Sequence, residues 1–232
     1  MSPQPVSGIS SMATKRLLAQ LAREHQDRGG VPIAFESLGG VDAARRVATG
    51  EPVDLVVLAS GAVARLAAQG HVRAETVRPF AVSRAALAVR SGAAHPPIAT
   101  RDALLASLRD AGSIAYSTGP SGDALLALLD AAGMLAQLRP RLVQARPGVP
   151  VASIVADGAA RLGIQQLSEL AGYQGIEVVG VLPPDAEIAT TFAIAVSSRA
   201  QAADAARSFI DYIVSATAHD AIRRAHMAPV TG

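Results

Sequence analysis

The residues best suited to chemistry are hydroxyls and glycines placed where strands hand over to helices. The fullest case is Ala115-Tyr116-Ser117-Thr118-Gly119-Pro120-Ser121-Gly122. Residues 113–116 before it read as a short apolar strand, and residues 123–130 after it as a helix with a broad apolar face. Free N–H groups at a helix N-terminus carry partial positive charge and favour an anion. Gly119 and Gly122 would let such an anion approach the main chain, with Ser121 expected as the N-cap. Similar junctions occur at Ser10-Ser11, Gly39-Gly40, residues 147–149 (ending in Val149) and Gln165-Gln166. In open parallel sheets, ligands sit beyond the carboxyl ends of the strands. Helix N-termini converging there would hold an anion without a lysine, through hydroxyls and backbone amides.

Single residues admit two roles each. Asp42, at a helix start beside Gly39-Gly40, is either a first-turn acid or a base that takes a proton from a carbon next to a carboxylate. Arg84 either grips a carboxylate bidentately or forms a surface ion pair. Tyr116 either donates a proton or packs. Glu169 and Asp157 read as solvated helix charges rather than an acid pair. His25, His71, His95, His219 and His226 lack metal-ligand spacing, so no metal and no cofactor is expected. No Ser–His–Asp grouping is readable. Neither G-x-x-x-x-G-K-[ST] nor G-x-G-x-x-G occurs, which disfavours nucleotide binding.

The elements that position these residues alternate. Residues 5–9, 31–36 and 54–59 read as strands, each followed by a helix: 12–26, 43–49 and 60–69. Successive βα units argue for a parallel sheet with right-handed crossovers. Shorter strands follow at 142–144, 161–165 and 176–180, and helices at 101–110, 151–157, 166–170, 200–215 and 218–225. Two long strands, 80–90 and 190–196, bracket a self-contained α/β block. The expected architecture is therefore α/β, with two Rossmann-like lobes joined by two crossing strands. Lobe one is 1–82 plus 188–232 and lobe two 83–187, with a ligand cleft between them.

Composition narrows the partners. Half the residues are hydrophobic, which is enough for a sizeable core, and aromatics are only 3%. Lys15 is the sole lysine and the formal net charge is +2, with no basic run carrying aromatics, so nucleic acid is not an expected partner. No helix-turn-helix segment is readable either. There is no cysteine, hence no disulfide and no thiol catalysis. No apolar run reaches the roughly 18 residues that span a bilayer. The N-terminus lacks the charged start and apolar stretch of a secretory signal. As written the chain reads as cytoplasmic, and as periplasmic if a signal has been trimmed.

Gly8-Ile9-Ser10-Ser11-Met12, Gly39-Gly40-Val41-Asp42-Ala43-Ala44-Arg45-Arg46, residues 54–60 and Gly163-Ile164-Gln165-Gln166 resemble, in order and spacing, the molybdate-binding group of type II periplasmic solute-binding proteins. The resemblance implies two α/β lobes closing on an oxyanion held by serine hydroxyls and amides, and an ABC-transporter permease as partner if the protein is exported. The chain departs from the molybdate pattern where Gly40 or Val41 replaces a serine and Gln166 replaces a tyrosine. A glutamine amide both donates and accepts, which suits a carboxylate ligand with further polar groups. Gln165-Gln166 followed by Leu-Ser-Glu-Leu, and the later Leu182-Pro183-Pro184, are also similar to aconitate isomerases. Those share the fold and shift a double bond in a tricarboxylate without a cofactor. The expected activity is thus binding of a small organic or oxyanion, with proton-shifting isomerisation as the alternative.

Overall fold

The computed structural model describes residues 5–231; Met1–Gln4, where the reading of the N-terminus for a signal begins, lie outside the described residues. In chain order the main elements are β1 (Val6–Ser11), α1 (Lys15–Asp27), β2 (Ile33–Leu38), α2 (Gly40–Ala48), β3 (Leu55–Ala59), α3 (Ser60–Ala68) and β4 (Arg78–Arg90). Next come α4 (Arg101–Asp110), β5 (Ile114–Tyr116), α5 (Pro120–Ala131), α6 (Leu135–Leu138), β6 (Leu142–Gln144), α7 (Val151–Ala156), β7 (Leu162–Gln166), α8 (Leu167–Leu170) and β8 (Ile176–Val181). The chain ends with β9 (Ala189–Val196), α9 (Ala203–Ile213), α10 (His219–Arg224) and β10 (Ala228–Pro229). It falls into two compact units, Met1–Val82 with Thr191–Gly232, and Ser83–Thr190. The backbone passes from the first to the second within β4 and returns within β9.

In the first unit β1 pairs in parallel with β2 and β3, β3 pairs antiparallel with β9, and β10 pairs antiparallel with β4. Alternate residues of β3 face opposite ways. Leu55 and Val57 pack with Leu18 and Leu21 of α1 and Phe209 of α9, while Val56 and Leu58 pack with Ala43 and Val47 of α2 and Val63 of α3. Both faces of the sheet are covered, as a parallel sheet requires. Asp54, just before β3, is 7% exposed and accepts hydrogen bonds from the Ser7 N–H and hydroxyl and from the Gln201 and Ala202 amides. Burial opposes its charge, but these four donors outweigh it and hold the carboxyl below its ordinary range.

In the second unit β5 pairs in parallel with β6 and β7, and β4 pairs antiparallel with both β7 and β8. Ala85, Leu87 and Val89 of β4 face a cluster with Leu104, Leu125 and Leu129, and Ala86 and Ala88 face another with Val151 and Val155.

Several expected boundaries move for local reasons. The second strand starts at Ile33, not 31, because Pro32 has no N–H; its carbonyl instead accepts from Val6 at 2.9 Å. Ser10 and Ser11 belong to β1 itself, and a 3-10 turn (Met12–Thr14) precedes α1. The helix after Gly39 begins at Gly40, not 43, with the Gly39 carbonyl accepting from Ala43. The helix after Ser117 begins at Pro120, with Gly119 as N-cap. Ser121 is therefore not the cap, because proline suits the first helical turn, where its missing donor costs nothing.

Candidate functional site

Because β1, β2 and β3 are parallel, their carboxyl ends share one edge of the first unit's sheet. Ser10 stands opposite Ser37 in register, and their hydroxyls lie 2.8 Å apart. Ser10 is fully buried and Ser11 is 7% exposed. The Ser11 Oγ, buried, has no hydrogen-bond partner, nor has the buried Oγ of Ser60 at the start of α3. Gly40 borders Ser11: a Cβ placed on Gly40 would lie 3.8 Å from the Ser11 Cβ, an ordinary contact. The first amides of α2 and α3 precede any intrahelical partner. This edge thus presents unpaired hydroxyls beside helix N-termini, which suits an anionic oxygen.

Two arginines of α2, beside this edge, are already engaged. Arg45 pairs with Asp42 at 2.8 Å, which makes Asp42 the first-turn acid of α2. Arg46 pairs with Glu36 at 2.6 Å and with Glu51; the hydrogen bonds its guanidinium donates to these two carboxylates raise its pKa. On the second unit Arg84 pairs with Glu187 at 2.8 Å.

The second unit's parallel strands β5 and β7 also end on one side of their sheet. After β5, the Ser117 Oγ lies 3.0 Å from the Ser121 Oγ and accepts from the Gly119 N–H at 3.3 Å, with Thr118 half-buried between them. Gly122 serves packing rather than ligand approach, since a Cβ there would fall 1.9 Å from the Ser117 carbonyl oxygen. Tyr116 is 8% exposed and sits in the apolar cluster with Leu125 and Leu129. The Val149 N–H is spent on the Arg146 carbonyl at 3.0 Å.

Gln165 and Gln166 close β7 and are both buried. The Gln165 Oε1 accepts from the Val151 N–H at 3.0 Å, and its Nε2 donates to Glu169 at 2.7 Å. The Gln166 Nε2 donates to the Thr190 Oγ1 at 2.6 Å, while its Oε1 is buried without a partner. Glu169 corrects the expectation of a solvated helix charge: burial pushes its carboxyl up to about 7, against the opposing hydrogen bond from Gln165. Sequence reasoning also missed Ser37 and Thr190 as partners of Ser10 and Gln166, and Ser60 as a candidate site residue. Ser60 was readable, since it follows the apolar run 55–59 as Ser11 ends β1. Among the described residues no group of His, Asp or Glu is arranged to hold a metal ion, and no helix is long and apolar enough to cross a membrane.

Comparison with known proteins identifies the family and the fold. The family model for bacterial extracellular solute-binding proteins matches residues 7–228. An aconitate isomerase of Pseudomonas sp is 33% identical, with 99% of this chain and 91% of the isomerase covered. The periplasmic molybdate-binding protein of Azotobacter vinelandii has the same fold, with a TM-score of 0.81 at 19% identity over 98% of this chain and 99% of that one. The sulfate-binding protein SubI of Mycobacterium tuberculosis H37Rv matches with a TM-score of 0.76 at 20% identity, over 98% of this chain and 88% of that one. The chain belongs to the bacterial extracellular solute-binding protein family, with the mixed α/β fold of the periplasmic binding proteins.

Proposed function

We propose that the protein binds a small anion, an organic acid rather than a bare oxyanion, at the first unit's turns that carry Ser11 and Ser60. The observation that carries this reading is the pair of buried hydroxyls left without partners on those turns, Ser11 Oγ and Ser60 Oγ, each able to donate to an anionic oxygen. A buried unpaired hydroxyl costs about 1–3 kcal/mol, a cost that a ligand would offset. Hydroxyls and main-chain amides of these turns would contact the ligand oxygens. Gly40 or Val41, where the molybdate pattern has a serine, favours a ligand with carbon as well as oxygen.

A thermal-shift panel of molybdate, tungstate, sulfate, citrate, cis-aconitate and trans-aconitate tests the reading. Binding to the folded state raises Tm by mass action, and a ligand at about 100 times its Kd adds roughly 2.7 kcal/mol. The expected outcome is a shift with a tricarboxylate and little or none with sulfate. A shift confined to molybdate and tungstate would overturn the organic-acid reading. An anion-binding protein of this family would serve uptake, with an ABC-transporter permease as partner in the periplasm.

A second reading is favoured by the aconitate isomerase at 33% identity over nearly the whole chain. In it the bound acid loses a proton from the carbon beside a carboxylate and regains one at the other end of the allylic system, with no cofactor. Asp42 and Tyr116 are the candidate proton-transfer groups, although Asp42 pairs with Arg45 and Tyr116 is packed. Proton NMR of bound cis-aconitate in D2O separates the readings. Exchange of a C–H that disappears in Asp42→Asn supports the enzyme; binding with no exchange supports uptake.

A further inference from the structure

We propose that Lys15 and Arg65 are specificity-determining residues of the candidate site, and that the ligand they select is a polycarboxylate, whose separate carboxylates they grip from opposite faces of the sheet. The inference rests on the reading that the Ser11 and Ser60 hydroxyls face the bound anion. All four residues belong to the first unit. β1 and β3 are parallel neighbours, so Ser11 and Ser60 lie at adjacent strand ends. The helices that follow take opposite sides. α1 covers one face, with Leu18 and Leu21 against Leu55 and Val57. α3 covers the other, with Val63 and Leu66 against Val56 and Leu58. An anion at this edge is therefore approached by one helix start from each face.

Each helix brings a cation to that start. Arg65 is rooted in the last turn of α3, where the helix carbonyls favour positive charge. Its guanidinium instead extends back over the first turn: the Nη1 lies 3.9 Å from where a Cβ on Gly61 would stand, next to Ser60. Helical side chains lean toward the N-terminus, and here the lean carries a charge to the end where the dipole disfavours it. Lys15, the sole lysine, is the first residue of α1, a turn beyond Ser11, with its N–H on the Met12 carbonyl. No acidic residue occupies the first turn of α1 or of α3. Lys15 and Arg65 are exposed, and neither has an ion pair among the described residues. The arginines of α2 differ, since Arg45 is paired with Asp42 and Arg46 with Glu36 and Glu51. Uncompensated cations at two helix starts, beside the buried unpartnered Ser11 and Ser60 hydroxyls, are what a bound anion would offset. One carboxylate would engage one of them. Two cations on opposite faces match an acid with at least two carboxylates, one gripped by the arginine fork and one by the mobile ammonium. A compact oxyanion has no second charged group to offer.

The test is calorimetric titration of citrate, and of the monocarboxylate crotonate, into wild type, Arg65→Gln, Arg65→Lys, Lys15→Gln and the Lys15→Gln/Arg65→Gln double variant. Arg23→Gln, which removes the same charge from an exposed position further along α1, is the control for net charge. Arg65→Gln and Lys15→Gln are each expected to raise the citrate Kd by roughly tenfold, the loss of one charge-assisted contact. Both should also flatten its salt dependence between about 0.05 and 0.5 M. Arg65→Lys keeps the charge without the fork and restores part of the affinity. The preference for citrate over crotonate falls in each single variant and is lost in the double one. Citrate affinity and salt dependence equal to those of Arg23→Gln in both single variants, with binding still lost in Ser11→Ala, would overturn the proposal and leave the anion site standing. A loss confined to one of the two variants would overturn the two-carboxylate assignment. Failure of citrate and cis-aconitate to bind the wild type would instead remove the binding reading, and this assignment with it. A ligand-free thermal scan confirms that each variant is folded.

Discussion

Ser11 is the residue whose chemistry is least explained by folding alone. Its carbonyl accepts from the Thr14 hydroxyl at 3.0 Å, so its backbone is satisfied, yet its own hydroxyl is buried without a partner. Ser11→Ala removes an unsatisfied group. Ligand-free stability should stay level or rise by about 1 kcal/mol, while the tricarboxylate-induced Tm shift is lost. Gly40 offers the converse substitution. It has room for a Cβ and no positive φ, so Gly40→Ser should fold normally and raise the affinity for molybdate relative to citrate, read in the same panel. Asp54 is structural in the opposite sense to Ser11. Its carboxyl is held below its unfolded value by four donors, so its contribution is present above about pH 4 and lost as pH falls through the folded value. Asp54→Ala should cost about 2–3 kcal/mol at pH 7, measured by denaturant unfolding, and a smaller amount near pH 3. Glu169 runs the other way. Its raised carboxyl costs stability progressively from about pH 4.5 to about pH 7, so Glu169→Gln should raise Tm at pH 8 and leave it unchanged at pH 4.

At the scale of elements, strand-to-helix turns do the positioning. The start of α5 is fixed by Gly122 passing against the Ser117 carbonyl and by Pro120 in the first turn. Gly122→Ala would force a Cβ to within 1.9 Å of that oxygen, so the turn must open. A loss of about 2–4 kcal/mol is expected, together with loss of the Ser117–Ser121 contact, seen as faster amide exchange at Gly119. A full-stability variant with unchanged exchange would contradict this role. The βα order was legible in the sequence because apolar runs such as 55–58 are wholly buried strands and leave little ambiguity of period. Cap positions were less legible. Serine is the commoner N-cap by propensity, but here proline fixes the first turn and glycine takes the cap. Strand β10, with two residues, gives too short a pattern to read.

For the whole molecule, the family and the α/β fold were readable because motifs at four strand ends recur in order. The environment of single side chains was not. Glu169 carries the same letter as a solvated helix glutamate, and only the burial around α8 sets it apart. Likewise the sequence does not reveal that Asp42 and Arg84 pair with Arg45 and Glu187, because ion pairing depends on side-chain placement within each unit. What the chain does as a whole depends on whether the unpaired hydroxyls of Ser11 and Ser60, at the ends of β1 and β3, serve the same ligand.

Calorimetric titration of the tightest-binding acid of the panel into wild type, Ser11→Ala and Ser60→Ala tests that dependence most directly. The expected result is a loss of roughly tenfold or more in affinity for each variant, about 1.4 kcal/mol, with both proteins folded. Unchanged Kd in either variant would contradict the claim that both turns hold the anion.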